Sequence, residues 1–270
     1  MSFKMKRKFG QNFITDKNLI LKIVNGAQIN EKNVIEVGPG AGALTNFLAK
    51  QALTLTCFEI DIELKEKLES IVQKNNNSKI FFVDFLDIEL TDDHFLDQTL
   101  QYHLVGNLPY YITTPIIFKF LEAPFILSAT IMVQLEVANR IIAQPSSKEY
   151  NAFSAIIQYF AVVKKIVNVR RNMFRPIPKV DSAVIRIEKR STSLFGLDQI
   201  SENIFLDFIK AVFSQKRKTI VNNIFEKYSL NKETILSCLH RVNINPLIRA
   251  EQLSLDNIFM IFNQMKDWLL

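Results

Sequence analysis

Four consecutive residues have the clearest chemical use: Asn107-Leu108-Pro109-Tyr110. The exocyclic nitrogen of adenine is a poor nucleophile because its lone pair is delocalised into the ring. An asparagine side-chain oxygen and the carbonyl of the next residue can each accept a hydrogen bond from that amine. Two acceptors draw the nitrogen toward a tetrahedral geometry and localise its lone pair, so an electrophilic methyl group then needs only in-line positioning. Pro109 fixes the backbone behind the Leu108 carbonyl, and Tyr110 offers a ring on which a base can stack. No strong general base is needed, because the methylated aminium is acidic once formed. Asn107, Leu108, Pro109 and Tyr110 are therefore the expected catalytic residues. The bland alternative is a proline turn after a strand.

A second constellation lies upstream. Glu36-Val37-Gly38-Pro39-Gly40-Ala41-Gly42 follows a short apolar run. Glycines there let the backbone turn tightly and approach a nucleotide cofactor, with Gly38 and Gly40 as the expected contacts. Gly38-x-Gly40-x-x-Ala43 also satisfies the nicotinamide-dinucleotide pattern, so the loop alone leaves the cofactor open. Glu59, about twenty residues on, can accept both ribose hydroxyls of an adenosine. Asp84 can accept an adenine amine. Each also has a plainer reading, Glu59 as an acid favouring the next helix and Asp84 as a turn residue. All three end successive strands, where ligands bind in open α/β sheets. A dehydrogenase has no evident use for Asn107 to Tyr110, whereas an amino-methyltransferase using S-adenosylmethionine does.

Phe174 lies between Asn172 and Ser182, in a segment stiffened by Pro176 and Pro178. It is the expected second aromatic, clamping a flipped base opposite Tyr110. The competing reading is a core phenylalanine, one of 22 in the chain. Nine Lys or Arg fall between Lys164 and Arg190, and further basic runs lie at Lys216-Arg217-Lys218 and from Lys4 to Lys8. Three such runs, one of them around the expected clamp, suggest a surface that tracks phosphates.

These residues need a scaffold. β-like runs fall at Val34–Val37, Leu53–Ile60, Lys79–Val83, Tyr102–Gly106, Ala129–Val133, Ile166–Val169 and Ala183–Ile187. Helix-like segments follow the first two, at Ala43–Lys50 and from Asp61 to about Gln73. The alternation predicts an α/β fold, a doubly wound parallel sheet with right-handed crossovers. After Arg190 the character changes. Ser191–Gln199 reads as a linker, and apolar residues recur at helical spacing in Ile204–Phe213, Ile220–Tyr228 and Leu255–Met265. Residues 1–190 are thus expected to form the catalytic domain and residues 191–270 a small all-helical one.

Composition narrows the class. Hydrophobic residues make up 48% and charged residues 22%, enough for a packed core. The net charge of +6 favours a polyanionic partner. Cys57 and Cys238 form no disulfide framework, and His94, His103 and His240 lack metal-ligand spacing, so no metal is expected. The basic N-terminus runs into Gly10-Gln11-Asn12 where a signal peptide needs an apolar stretch. No run approaches the ~18 apolar residues of a membrane span. A soluble, cytoplasmic protein is expected.

Taken together, these strings resemble the ribosomal RNA adenine dimethyltransferase family, and specifically its small-subunit branch, the one linked to kasugamycin sensitivity. The matching strings are Phe9-Gly10-Gln11-Asn12-Phe13, Glu36 to Thr45, Asn107 to Tyr110, Gln134 to Ala138, Phe174 to Ser182, Phe213 to Thr219 and Arg249 to Leu253. They span almost the whole chain. The resemblance implies a class I methyltransferase domain with a small helical domain. It also implies that Asn12 and Ile14 line the cofactor pocket with Gly38, Glu59, Asp84 and Asn107. The implied substrate is a pair of adjacent adenosines in the 3′-terminal hairpin loop of 16S rRNA, dimethylated within an assembling small ribosomal subunit by a monomeric enzyme. A large-subunit adenine methyltransferase is the nearest rival, disfavoured by the Phe213–Thr219 and Arg249–Leu253 strings. A non-catalytic assembly factor and a dinucleotide oxidoreductase are the others.

Overall fold

The computed structural model describes residues 13–269. The chain runs β1 (Phe13–Ile14), α1 (Lys17–Ala27), β2 (Asn33–Val37), α2 (Thr45–Gln51), β3 (Thr54–Phe58), α3 (Lys65–Val72), β4 (Ser78–Phe81), β5 (Tyr102–Asn107), α4 (Thr113–Glu122) and β6 (Ile126–Gln134). It continues with α5 (Leu135–Ile142), α6 (Ala152–Phe160), β7 (Ala161–Val169), β8 (Phe174–Arg175), β9 (Ser182–Lys189), α7 (Gln199–Val212), α8 (Ile220–Tyr228), α9 (Lys232–Arg241) and α10 (Leu255–Leu269).

Seven strands form one sheet in the order β4-β3-β2-β5-β6-β9-β7, and β1 pairs with β8 in a separate ribbon. β2 to β6 are all parallel. Their centres are rich in buried apolar residues, with Val34, Ile35, Leu55, Cys57, Leu104, Val105, Ile131 and Val133 among them. That composition is what a strand covered on both faces requires. The chain builds β3 and β4 to one side of β2, then β5 and β6 to the other. The direction switches between β2 and β5, and open α/β sheets hold ligands at that crevice.

The parallel expectation fails at one strand. β9 runs antiparallel to β6, in register from Ser128↔Glu188 to Gln134↔Ser182. Parallel connections need a crossover, usually a helix. Between β7 and β9 the chain has only one helical turn, Arg171–Met173, and the two residues of β8. It returns by reversing. The reversal brings the start of β9, rather than its end, to the rim where the parallel strands finish.

The described residues divide into two compact units, one of residues 13–138 and 162–189, the other of 139–161 and 190–269. The sequence reading left 139–161 with the first domain, and the structure groups it with the helices. The reason is α6. Its Ala155, Ile156 and Tyr159 join a buried cluster with Phe205, Phe208, Ile209, Ile224, Leu239 and Phe262. The Tyr159 hydroxyl also donates to Glu202 Oε1 at 2.7 Å. Asn151 caps α6, its side chain accepting from the N–H of Phe153 and Ser154. No strand lies in residues 190–269. Among the described residues, no helix is long and apolar enough to cross a membrane.

Candidate active site

Strand register sets the site. Val37 lies opposite Phe58 on one side and Gly106 on the other, and Phe58 lies opposite Phe81. The carboxyl ends of β2, β3, β4 and β5 are therefore level. Gly38, Glu59, Asp84 and Asn107, at or just past those ends, share one rim. The ladder continues briefly beyond the strands, with Gly38 N donating to the Phe58 carbonyl at 2.9 Å and Glu59 N to that of Phe81 at 3.0 Å.

A cleft opens at this rim, with about 950 Å³ of open space including its solvent mouth. Ile14, Gly38, Gly40, Glu59, Asp84, Asn107, Leu108, Pro109 and Tyr110 all line it. Asn12 lies outside the described residues. Phe174 does not join the group. Its ring is 1% exposed and packs in a core cluster with Ile14, Ile20, Val24, Val169 and Val184. In this arrangement Phe174 supports the cleft from behind, since β8 pairs Ile14 with Phe174 and Phe13 with Arg175.

Glycine is required in the first loop for two reasons. Gly38, Gly40 and Gly42 have φ of +67°, +58° and +78°, where a Cβ is disfavoured. At Gly40 an added Cβ would also lie 2.8 Å from Phe13 Cε1, whereas at Gly38 it would meet nothing within 4 Å. Gly38 thus leaves bare backbone facing open space. Glu59 braces the loop, its Oε2 accepting from Gly40 N and its Oε1 from Asp61 N, both at 2.9 Å. Burial raises the Glu59 carboxyl above the usual range, and the N–H groups of Asp61 and Gly40 partly offset this. A carboxylate has about four lone-pair sites, so Glu59 retains acceptor capacity for a ligand. Beneath it, Glu36 is raised from 4.5 to about 7 by burial, tempered by the Thr45 hydroxyl and the Cys57 thiol and raised further by Glu59.

Asp84 is held by local geometry. Its Oδ1 accepts from Leu86 N at 2.9 Å, an Asx turn. From α4, Lys119 Nζ donates to the carbonyls of Leu86 and Ile88 and sits 5.6 Å from the Phe85 ring centroid. One lysine thereby ties the Asp84 loop to the helix that follows Tyr110. Gly106 has a matching role before Asn107, for an added Cβ would lie 2.9 Å from the Val37 carbonyl and 2.8 Å from Leu108 Cδ2. Leu108 is itself buried, at 2% exposure. Sequence reasoning gave no site role to Phe13, Lys119, Gly106 or Tyr111. Tyr111 lines the cleft and is 61% exposed. Its place directly after Tyr110 was the available signal.

The basic run around β9 is less uniform than its sequence. Arg186 is buried and donates to the Ala27 carbonyl and to Glu188. Lys189 turns inward to the Ala123 carbonyl, and burial lowers it to about 8. Lys164, Lys165, Arg170, Arg171, Arg175, Lys179 and Arg190 are exposed. In the helical unit, Lys216 and Arg217 are exposed ahead of α8, while Lys218 pairs with Glu226. The run from Lys4 to Lys8 lies outside the described residues. Among the described residues, no cluster of three or more His, Cys, Asp or Glu could hold a metal ion.

A glycine loop, two rim carboxylates and Asn107–Tyr110 converge on a single cleft. The sequence model of the family described as "Ribosomal RNA adenine dimethylase" matches residues 2–267. The chain belongs to the ribosomal RNA adenine dimethylase family. Similar curated proteins carry the name ribosomal RNA small subunit methyltransferase A. One from onion yellows phytoplasma is 45% identical, over 97% of this chain and 99% of its own length. One from Mycoplasmopsis pulmonis is 39% identical, over 97% of this chain and all of its own. Among solved structures, the 23S rRNA methyltransferase ErmE matches with TM-score 0.76 and 25% identity, over 94% of this chain and 100% of its own. A dimethyladenosine transferase from Plasmodium falciparum shares the fold with TM-score 0.79 at 23% identity, over 95% and 98% of the two chains. The adenine dimethylase fold is thus that of a class I methyltransferase, and a member of this family is an enzyme that requires a methyl donor.

Proposed function

We propose that the chain dimethylates the N6 amines of two adjacent adenosines in the 3′-terminal hairpin loop of 16S rRNA. The methyl donor in this reading is S-adenosylmethionine, and the substrate is an assembling small ribosomal subunit in the cytoplasm, met by a monomeric enzyme. One observation carries the reading. Asn107 and the Leu108 backbone stand on the same level rim as the glycine loop and the two carboxylates, so a target amine and a methyl donor can meet at one edge.

The residues present fit that donor. Gly38 exposes backbone toward open space, Glu59 can take ribose hydroxyls, and Asp84 can accept from the adenine amine. The donor supplies an electrophilic methyl on a sulfonium; everything else falls to the chain. Asn107 Oδ1 and the Leu108 carbonyl accept from the target amine and localise its lone pair. Tyr110 stacks on the extruded base. The apolar walls of the cleft, Phe13, Val37 and Phe85 among them, lower the local dielectric and strengthen these hydrogen bonds. Asn12 and Ile14 belong to the same pocket in this reading. Phe174 enters it as packing beneath Ile14. The exposed basic residues near β7 to β9, together with Lys216 and Arg217, supply phosphate contacts.

The test is transfer of labelled methyl groups from S-adenosylmethionine to small subunits lacking the modification. Fully modified small subunits and large subunits serve as controls. Label recovered as dimethyladenine only from the unmodified small subunits is the expected result. Binding to those subunits without transfer would overturn the catalytic reading in favour of an assembly factor.

A further inference from the structure

Tyr110 is tied to a residue far along the chain. Its hydroxyl lies 2.8 Å from Ser182 Oγ, across 72 positions of sequence. Ser182 is fully buried and opens β9, where it is in register with Gln134 of β6. Its main chain is secured just before that point. The Asp181 carbonyl accepts from Leu135 N at 2.9 Å, and Asp181 Oδ1 accepts from Arg171 N at 2.9 Å. Ser182 is therefore a stationary point on the sheet, whereas Tyr110 sits on a loop and is only half-buried. A tyrosine ring turns about two side-chain torsions, and stacking on a base needs one orientation of its plane. The hydroxyl oxygen lies on the axis of the second torsion, so a hydrogen bond there fixes the first torsion and with it where the ring stands, while the preference of a phenolic O–H for the ring plane biases the second.

We infer that Ser182 is a positioning residue, anchoring the Tyr110 ring at the place where the target base stacks. The inference rests on the reading of Tyr110 as the stacking platform. It assigns the Phe174–Ser182 segment a use in the site that does not depend on Phe174. Ser182 touches neither base nor donor; it acts through the tyrosine.

The experiment is a double-mutant cycle on methyl transfer into unmodified small subunits. Ser182→Ala is expected to lower kcat roughly five- to tenfold, the effect of one lost hydrogen bond. The KM for subunits and the Kd for S-adenosylmethionine should stay unchanged. Tyr110→Phe keeps the ring, leaves β9 untouched and should match it, so it carries the test even if Ser182→Ala folds poorly. The double variant should be no slower than the slower single variant, because both remove the same bond. Full kcat in Tyr110→Phe, or additive losses in the double variant, would overturn the inference. Tyr110→Ala separates it from its premise. If Tyr110→Ala retains wild-type kcat, the stacking reading itself falls. If Tyr110→Ala is slow while Tyr110→Phe and Ser182→Ala are normal, only the positioning role falls.

Discussion

Gly106 shows how little room the site leaves at single positions. A Cβ there would press on the Val37 carbonyl, which is backbone of a central strand and cannot move aside. Gly106→Ala should cost about 1–3 kcal/mol, read as a lower urea midpoint, and should slow methyl transfer by displacing Asn107. Asn107→Ala should abolish transfer while leaving S-adenosylmethionine affinity within roughly tenfold, about 1.4 kcal/mol. Near-normal rates in that variant would remove the hydrogen-bonding role. Glu36 sets a pH dependence of its own. Its value of about 7 in the fold lies above the ordinary 4.5, so the folded chain binds more protons than the unfolded one between those values. The stability it contributes is complete below about 4.5 and is lost as pH rises through 7, by about 3 kcal/mol in all. Urea midpoints at pH 5 and pH 8 should differ in that sense, and Glu36→Gln should flatten the difference. The glycine loop, Glu59, Asp84 and Asn107–Tyr110 were legible as site candidates because each needs a particular residue type at a strand end. Phe174 was not, since an aromatic beside prolines reads the same whether its ring faces a ligand or the core. Arg186 and Lys189 misled for a related reason: charge in a sequence says nothing of which face of a strand carries it.

At the scale of elements, the sequence located all seven strands of the main sheet, because each is a short run rich in β-branched and apolar residues bounded by turn or charged residues. It missed the direction of β9, which depends on what connects the strands rather than on the strand itself. It also gave α6 no element and only the second half of β7. Ala152–Val163 is apolar across the Phe160–Ala161 junction, so neither a period of 3.6 nor one of 2 stands out. α1 and α9 carry the caps expected of helices, Asp16 accepting from Leu19 N and Asn231 from Glu233 N. The same kind of cap starts α6. Asn151→Ala should lower stability by about 1 kcal/mol, seen as a drop in Tm, with little change in S-adenosylmethionine affinity because the rim strands are untouched.

For the whole molecule, a net charge of +6 says less than its placement. Lys216→Glu or Arg217→Glu should weaken binding to small subunits by lowering the slope of affinity against salt. A loss independent of salt would indicate misfolding instead. The reversed strand has a consequence for how the enzyme comes into being. A chain emerging during synthesis can complete β2 to β6, and with them the strand ends that carry Gly38, Glu59, Asp84 and Asn107, once residue 134 is free, while β1 still awaits its partner β8. Tyr110 still lacks its partner until Ser182 arrives. The donor-facing strand ends and the anchored Tyr110 thus mature at different chain lengths, and chains ending after β6 should hold S-adenosylmethionine more weakly than the full chain and transfer no methyl group.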